Sequence, residues 1–142
     1  MTKEELKKRT KDFAIRVFKF LKTLPKEKEI DIISYQLFKS SSSVAANYRA
    51  ACRSKSSADF LNKLKIVDEE ADESLFWLEF INELGLECDK HELNYLMKEA
   101  NELVSIFSSA IKTIKNNNAN GMESKISVHK SLIQNPESLI VI

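Results

Sequence analysis

Glycine and proline are nearly missing from this chain, with two of each in 142 residues. A fold of short strands needs many tight turns, and those turns draw on glycine and proline. Their scarcity, with 30% charged residues, argues for long helices instead. No apolar run reaches the roughly 20 residues of a membrane span. The opening MTKEELKKRTKDF has no apolar stretch of the secretory kind, so a cytoplasmic location is the expectation. Cys52 and Cys88 fit no metal spacing and no disulfide framework, and read as free thiols. The two histidines, His91 and His129, belong to no Glu-x-x-His or His-Glu-x-x-His arrangement, which removes support for ferritin-like di-iron and zinc-hydrolase chemistry. No serine sits in a Gly-x-Ser-x-Gly elbow, and no glycine-rich phosphate loop exists.

What is present is charge, unevenly placed. The net charge is +1, yet residues 1–65 hold 16 Lys/Arg against 7 Asp/Glu, while residues 66–142 hold 6 against 14. The basic half suits nucleic acid, or it suits the acidic half of the same chain or of a second copy.

Four amphipathic segments carry this charge. Phe13, Val17, Phe20, Leu21 and Leu24 recur at steps of three and four, predicting a first helix from about Lys3 to Leu24 that Pro25 stops. A second helix opens near Glu29 or Ile30, with Ile30, Ile33, Leu37, Ser40, Val44, Asn47 and Ala51 on one seam. The stretch SSSSVAANYRAACRSKSSADF, residues 40–60, resembles a linker by composition. Its serine run, residues 40–43, nevertheless stays in phase with that seam and meets no breaker, so the run reads as mid-helix with small side chains that admit a close neighbour. After a turn at Arg53–Ser57, Ser56 and Asp59 fit the start of a third helix, roughly Ala58 to Leu84, which Gly85 ends. Asp89 and Glu92 open a fourth helix running to about Lys115, with Leu93, Leu96, Ala100, Val104, Phe107, Ile111 and Ile114 as its stripe.

The expected fold is therefore all-α, an antiparallel up-down-up-down four-helix bundle over residues 1–116. Residues 117–142, from the run NNNANG onward, read as an extended or partly disordered tail. The third helix carries more than one bundle needs. Beside the stripe Phe60, Leu64, Val67, Ala71, Leu75 and Leu78 runs a second: Lys63, Ile66, Glu70, Glu73, Trp77, Phe80 and Leu84. Apolar groups this wide, with Phe76 and Trp77 adjacent, point to a subunit interface and a homo-oligomer.

Two groups of residues are candidates for function. Lys7, Lys8, Lys11, Lys19, Lys22, Arg49, Arg53 and Lys55 form a basic face able to neutralise RNA or DNA phosphates without reading bases. Aromatic residues for base stacking look scarce there, because the phenylalanines of the first helix fit its core stripe. Glu69-Glu70-x-x-Glu73 and Glu99-x-x-Glu102 place carboxylates at helical spacing, which on facing helices would offer oxygens to Mg²⁺. All-α nucleotide pyrophosphohydrolases resemble this, with Asp where this chain has Glu102, and a Mg-dependent enzyme using Glu70, Glu73, Glu99 and Glu102 is the alternative reading. Solvated helix faces often carry such acids. A further expectation concerns structure: Asn47 and Arg49 on the second helix meet Glu70 or Glu73 on the third.

The central third also resembles a family. Ser43 to Arg49, Ser56 to Phe60, and Lys63, Glu70, Ala71, Glu73, Ser74, Trp77 and Leu78 match the pattern of bacterial four-helix-bundle proteins encoded in intervening sequences of 23S rRNA genes. These proteins are often labelled S23 ribosomal protein and are related to the accessory protein of diversity-generating retroelements. The resemblance spans roughly residues 5–115. Ala50 stands where the family usually has Glu, and Glu69 where it usually has a non-acidic residue. The resemblance implies a homopentamer, no enzymatic activity and no cofactor. For the retroelement relatives it implies nucleic-acid and reverse-transcriptase partners.

Overall fold

The computed structural model describes residues 1–120, and these form four helices in sequence: α1 Lys3–Leu21, α2 Lys28–Ala51, α3 Ser57–Leu84 and α4 Lys90–Asn120. They pack in a closed antiparallel bundle, each against the next, with α1 returning to α4. Residues 121–142, most of the expected tail, lie outside the described residues.

Several helix ends have a local chemical cause. Thr2 and Glu5 form a full capping box on α1, each side chain bonded to the other's backbone N–H. Ser56 Oγ and Asp89 Oδ1 accept from the N–H groups of Asp59 and Glu92, so α3 and α4 start where the sequence places them. Their acids are used elsewhere: Asp59 holds Lys63, and Glu92 crosses to α1. Gly85 ends α3 in the left-handed region at φ 65°. Helix α1 stops at Leu21, earlier than expected. Pro25 disfavours helical backbone at Leu24, and Thr23 Oγ1 donates to the Phe20 carbonyl. Leu24 nonetheless stays buried as the chain turns. At the other end the asparagine run does not stop α4, which continues to Asn120. Asparagine is a mediocre helix former, costing well under about 1 kcal/mol against alanine.

The core is one cluster along the bundle axis, with Leu6, Phe13 and Val17 of α1, Leu37, Val44 and Tyr48 of α2, Phe60, Leu64 and Leu78 of α3, and Leu96, Leu103 and Phe107 of α4. The serine run 40–43 lies inside α2, as its phase implied, and the rest of the stretch supplies the end of α2, a turn and the start of α3. Ser40 and Ser41 are fully buried, and Ser40 Oγ accepts from Ser74 Oγ at 3.0 Å across the α2–α3 contact. Ser74 is tied to the Glu70 carbonyl as well, so the buried hydroxyls are satisfied while α2 and α3 stay close. One register detail differs from expectation. Tyr48, not Asn47, completes the buried seam of α2 and packs its ring 5.5 Å from that of Phe107. Burial pushes the Tyr48 hydroxyl far above its ordinary pKa, and the neighbouring Cys52 thiol is raised by burial in the same way.

Candidate functional site

The Ser40–Ser74 bond fixes the register of α2 against α3 and decides where the polar residues of the sequence fall. Counting outward along two antiparallel helices, Val44 reaches the level of Glu70, and Arg49 that of Lys65. Arg49 is thus about five residues, roughly 7.5 Å of helix, from the level of Glu70. The expected pairing of Asn47 and Arg49 with Glu70 or Glu73 does not form. Asn47 Nδ2 instead donates to the Ser43 carbonyl at 2.9 Å and to Ser43 Oγ at 2.8 Å, within its own helix. Arg49 is exposed and lines the outer groove between α1 and α2. Burial raises the Glu70 carboxyl, Glu73 adds to that, and Lys39 opposes it. Lys39 is therefore the α2 cation that Glu70 senses.

Glu99 and Glu102 also have an occupation that spacing alone does not reveal. Arg9 of α1 grips Glu99 with two hydrogen bonds of 2.7 Å and reaches Glu102 at 2.5 Å. Two turns further, Arg16 holds Glu92 with bonds of 3.1 and 2.5 Å and lies 3.5 Å above the Tyr95 ring. Both guanidinium groups have raised pKa values, chiefly through hydrogen bonds to these carboxylates. Glu99 is only 11% exposed, and Arg9 supplies the hydrogen bonds that replace its lost water. Among the described residues no group of three or more His, Cys, Asp or Glu is arranged to hold a metal ion. Glu70, Glu73, Glu99 and Glu102 do not converge.

The eight candidate cations separate into two sets. Antiparallel packing brings the start of α1, the end of α2 and the α2–α3 turn to one end of the bundle. Lys7, Lys8, Lys11, Arg49, Arg53 and Lys55 gather there. Lys19 and Lys22 lie toward the other end, Lys22 about 22 Å of helix from Lys7. Lys7 pairs with Glu4 at 2.9 Å and Lys8 with Asp12 at 2.6 Å. Lys11, Arg49, Arg53 and Lys55 have no ion pair among the described residues. Much of the acid lies elsewhere, on α3 and early α4, so the charge asymmetry of the sequence becomes an asymmetry along the bundle.

Sequence reasoning missed one part of this surface. The groove between α1 and α2, about 690 Å³, is lined by Ala14, Ile15, Phe18, Phe38, Ala45 and Ala46 beside its cations. Phe18 is 44% exposed and Phe38 41%, with their rings 5.5 Å apart. Phe13 and Phe20 fit the core stripe, but Phe18 does not. Its position one residue past Val17 carried the signal. The expected interface residues Phe76 and Trp77 lie on α3 in a cluster with Phe80, in which Phe76 is 52% exposed and Trp77 half-buried. Trp77 Nε1 is buried with no hydrogen-bond partner. No helix among the described residues is long and apolar enough to cross a membrane.

Comparison with known proteins agrees with this architecture. No curated protein matches the chain significantly. Among solved structures, a protein of unknown function from the S23 ribosomal protein family of Bacteroides thetaiotaomicron VPI-5482 superposes with a TM-score of 0.67 at 31% identity. The match covers 75% of this chain and 97% of that one. Residues 2–109 match the family model described as 23S rRNA-intervening sequence protein. Neither description names a retroelement or a reverse transcriptase. With most of the bundle inside that match, and a solved relative sharing its fold, this chain belongs to the 23S rRNA-intervening sequence protein family.

Proposed function

We propose that this chain is a non-enzymatic, self-associating four-helix bundle whose basic end contacts the phosphate backbone of RNA or DNA. The observation that carries the reading is the gathering of Lys7, Lys8, Lys11, Arg49, Arg53 and Lys55 at one end, four of them without an ion pair among the described residues. Unneutralised cations held together by two helix ends and the turn between them repel one another, and a polyanion relieves that repulsion while releasing its own counterions. Among the described residues nothing at this end resembles a base-reading element, so affinity without sequence preference follows. A cytoplasmic location belongs to the same reading. Five copies is the assembly size that the family resemblance supplies, and the exposed Phe18, Phe38, Phe76 and Phe80 support association of some size.

Light scattering of the purified chain, with and without RNA, tests both parts. Fluorescence anisotropy with labelled RNA and DNA then follows the salt dependence. Binding should be measurable near about 50 mM salt and fall steeply toward about 200 mM. Absence of binding to either polymer at low salt would remove the nucleic-acid half. A monomeric mass at every concentration would remove the assembly half.

A further inference from the structure

The surface carries two apolar faces with opposite borders. One is the α1–α2 groove, where Ala14, Ala45 and Ala46 leave a depression beside the rings of Phe18 and Phe38; Lys7, Lys8, Lys11 and Arg49 line it against a single acid, Glu4, which pairs with Lys7. Small residues at Ala45 and Ala46 make a groove that a helix ridge can enter. The other is a ridge on α3. Ile66, Phe76, Phe80 and Leu84 are exposed there, at helical spacings that put them on one face with Glu69, Glu70, Glu73 and half-buried Trp77. Phe76, Trp77 and Phe80 pack on one another with ring centroids 4.9 to 6.0 Å apart, so the ridge is already ordered before it meets anything.

Resting on the self-association read above, we infer that the α3 ridge of one copy enters the α1–α2 groove of the next. Charge decides between this arrangement and its symmetric rivals. Ridge on ridge would bring two sets of Glu69, Glu70 and Glu73 into one contact, and groove on groove two sets of Lys7, Lys11 and Arg49, so like charge would accumulate in either. Ridge in groove pairs acid with base and buries phenylalanine against alanine and phenylalanine. Such a contact is heterologous: every subunit keeps one unused ridge and one unused groove until a ring closes. Lys7, Lys11 and Arg49 then serve the subunit contact, while Arg53 and Lys55, outside the groove, stay available to phosphate.

The test uses two variants of the full chain, each altered at exposed positions of one face. Ala46→Trp fills the groove, and Phe76→Asp with Phe80→Asp breaks the ridge. Circular dichroism and thermal melts check that both still fold. Each variant alone should sediment as a monomer where the wild type is an oligomer. Mixed in equal amounts they should form a one-to-one heterodimer and nothing larger, because one intact ridge and one intact groove remain. Charge reversal supplies a second readout: Glu73→Lys and Arg49→Glu should each weaken assembly at least tenfold, and the double variant should recover most of it. If either face variant keeps the wild-type mass, or the mixture stays monomeric, the arrangement is wrong. A monomeric wild type would instead sink the oligomeric reading on which it rests.

Discussion

Where α1 meets α4, Arg9 and Arg16 each grip a carboxylate with two hydrogen bonds, and Arg16 also covers the Tyr95 ring. Where α1 borders α2, Lys11 and Arg49 face an open groove without an ion pair, and Lys7 pairs only within its own helix. One helix thus spends its arginines on the fold and presents its lysines to the surroundings. The planar, fork-shaped guanidinium matches a carboxylate bidentately and tolerates partial burial, whereas an ammonium on a flexible stem is strongly hydrated and stays outside. Charge on the α4 side is therefore spent within the fold, and charge on the α2 side and at the basic end is left facing outward.

That contrast breaks most severely at Arg9. Arg9→Met leaves Glu99 nearly enclosed without its cation and should destabilise the bundle by about 2 to 3 kcal/mol in urea unfolding. Lys11→Met, three residues before the core position Ala14 but on the open flank, should stay within about 0.5 kcal/mol of wild type. The basic end gives the mirror result. Arg53→Ala with Lys55→Ala should lower RNA affinity about 30-fold, or ~2 kcal/mol, and reduce the slope of log affinity against log salt by about 2, with melting unchanged. Arg16→Lys sharpens the comparison by keeping the charge while losing the fork and the stacking. A loss of about 1 kcal/mol is expected. An unchanged melt for Arg16→Lys would mean that charge alone holds this flank.

The smallest effect lies on α3, where Asp68 has a buried Oδ1 without a hydrogen-bond partner. Burial raises its pKa, and Asp72 and Glu69 add to that. A carboxylate raised in the folded state binds its proton more tightly folded than unfolded, so its ionisation costs stability at neutral pH. That cost disappears as pH falls through the folded pKa toward the ordinary aspartate value. Asp68→Asn should stabilise the bundle by about 0.5 kcal/mol at pH 7, after allowance for solvent screening. The gain should vanish near about pH 4, as thermal melts at the two pH values would show.

Much of the fold was legible because helices depend on local spacing. The caps at Ser56 and Asp89, the stop at Gly85 and the phase of Ser40 through Val44 are all features of neighbouring residues. The charge pairing was not legible. Asn47 and Arg49 looked poised to meet Glu70 because they sit near it on adjoining helices, but the Ser40–Ser74 contact shifts Arg49 past it toward Lys65. Glu99 and Glu102 looked like free carboxylates because Arg9 lies some ninety positions away in the chain. The exposed Phe18 and Phe38 were hidden for a related reason. A phenylalanine one residue off a core stripe points outward only if no other helix covers that side, and the bundle leaves it open.

The amino-acid sequence by itself determined four amphipathic helices, the starts of the third and fourth and the stop at Gly85, the small residues of the second helix and the excess of base in one half. Hydrogen bonds within a turn and apolar periodicity act over a few residues, and the chain carries that information wherever the helix ends up. Only the tertiary structure decided which cations are consumed by α4, which six gather at one end, and that the four helices leave an apolar groove and an acidic aromatic ridge on their outer surface. Those outcomes turn on the register and rotation of helices against one another. A shift of a few residues in register changes every partner while leaving the pattern of each helix intact.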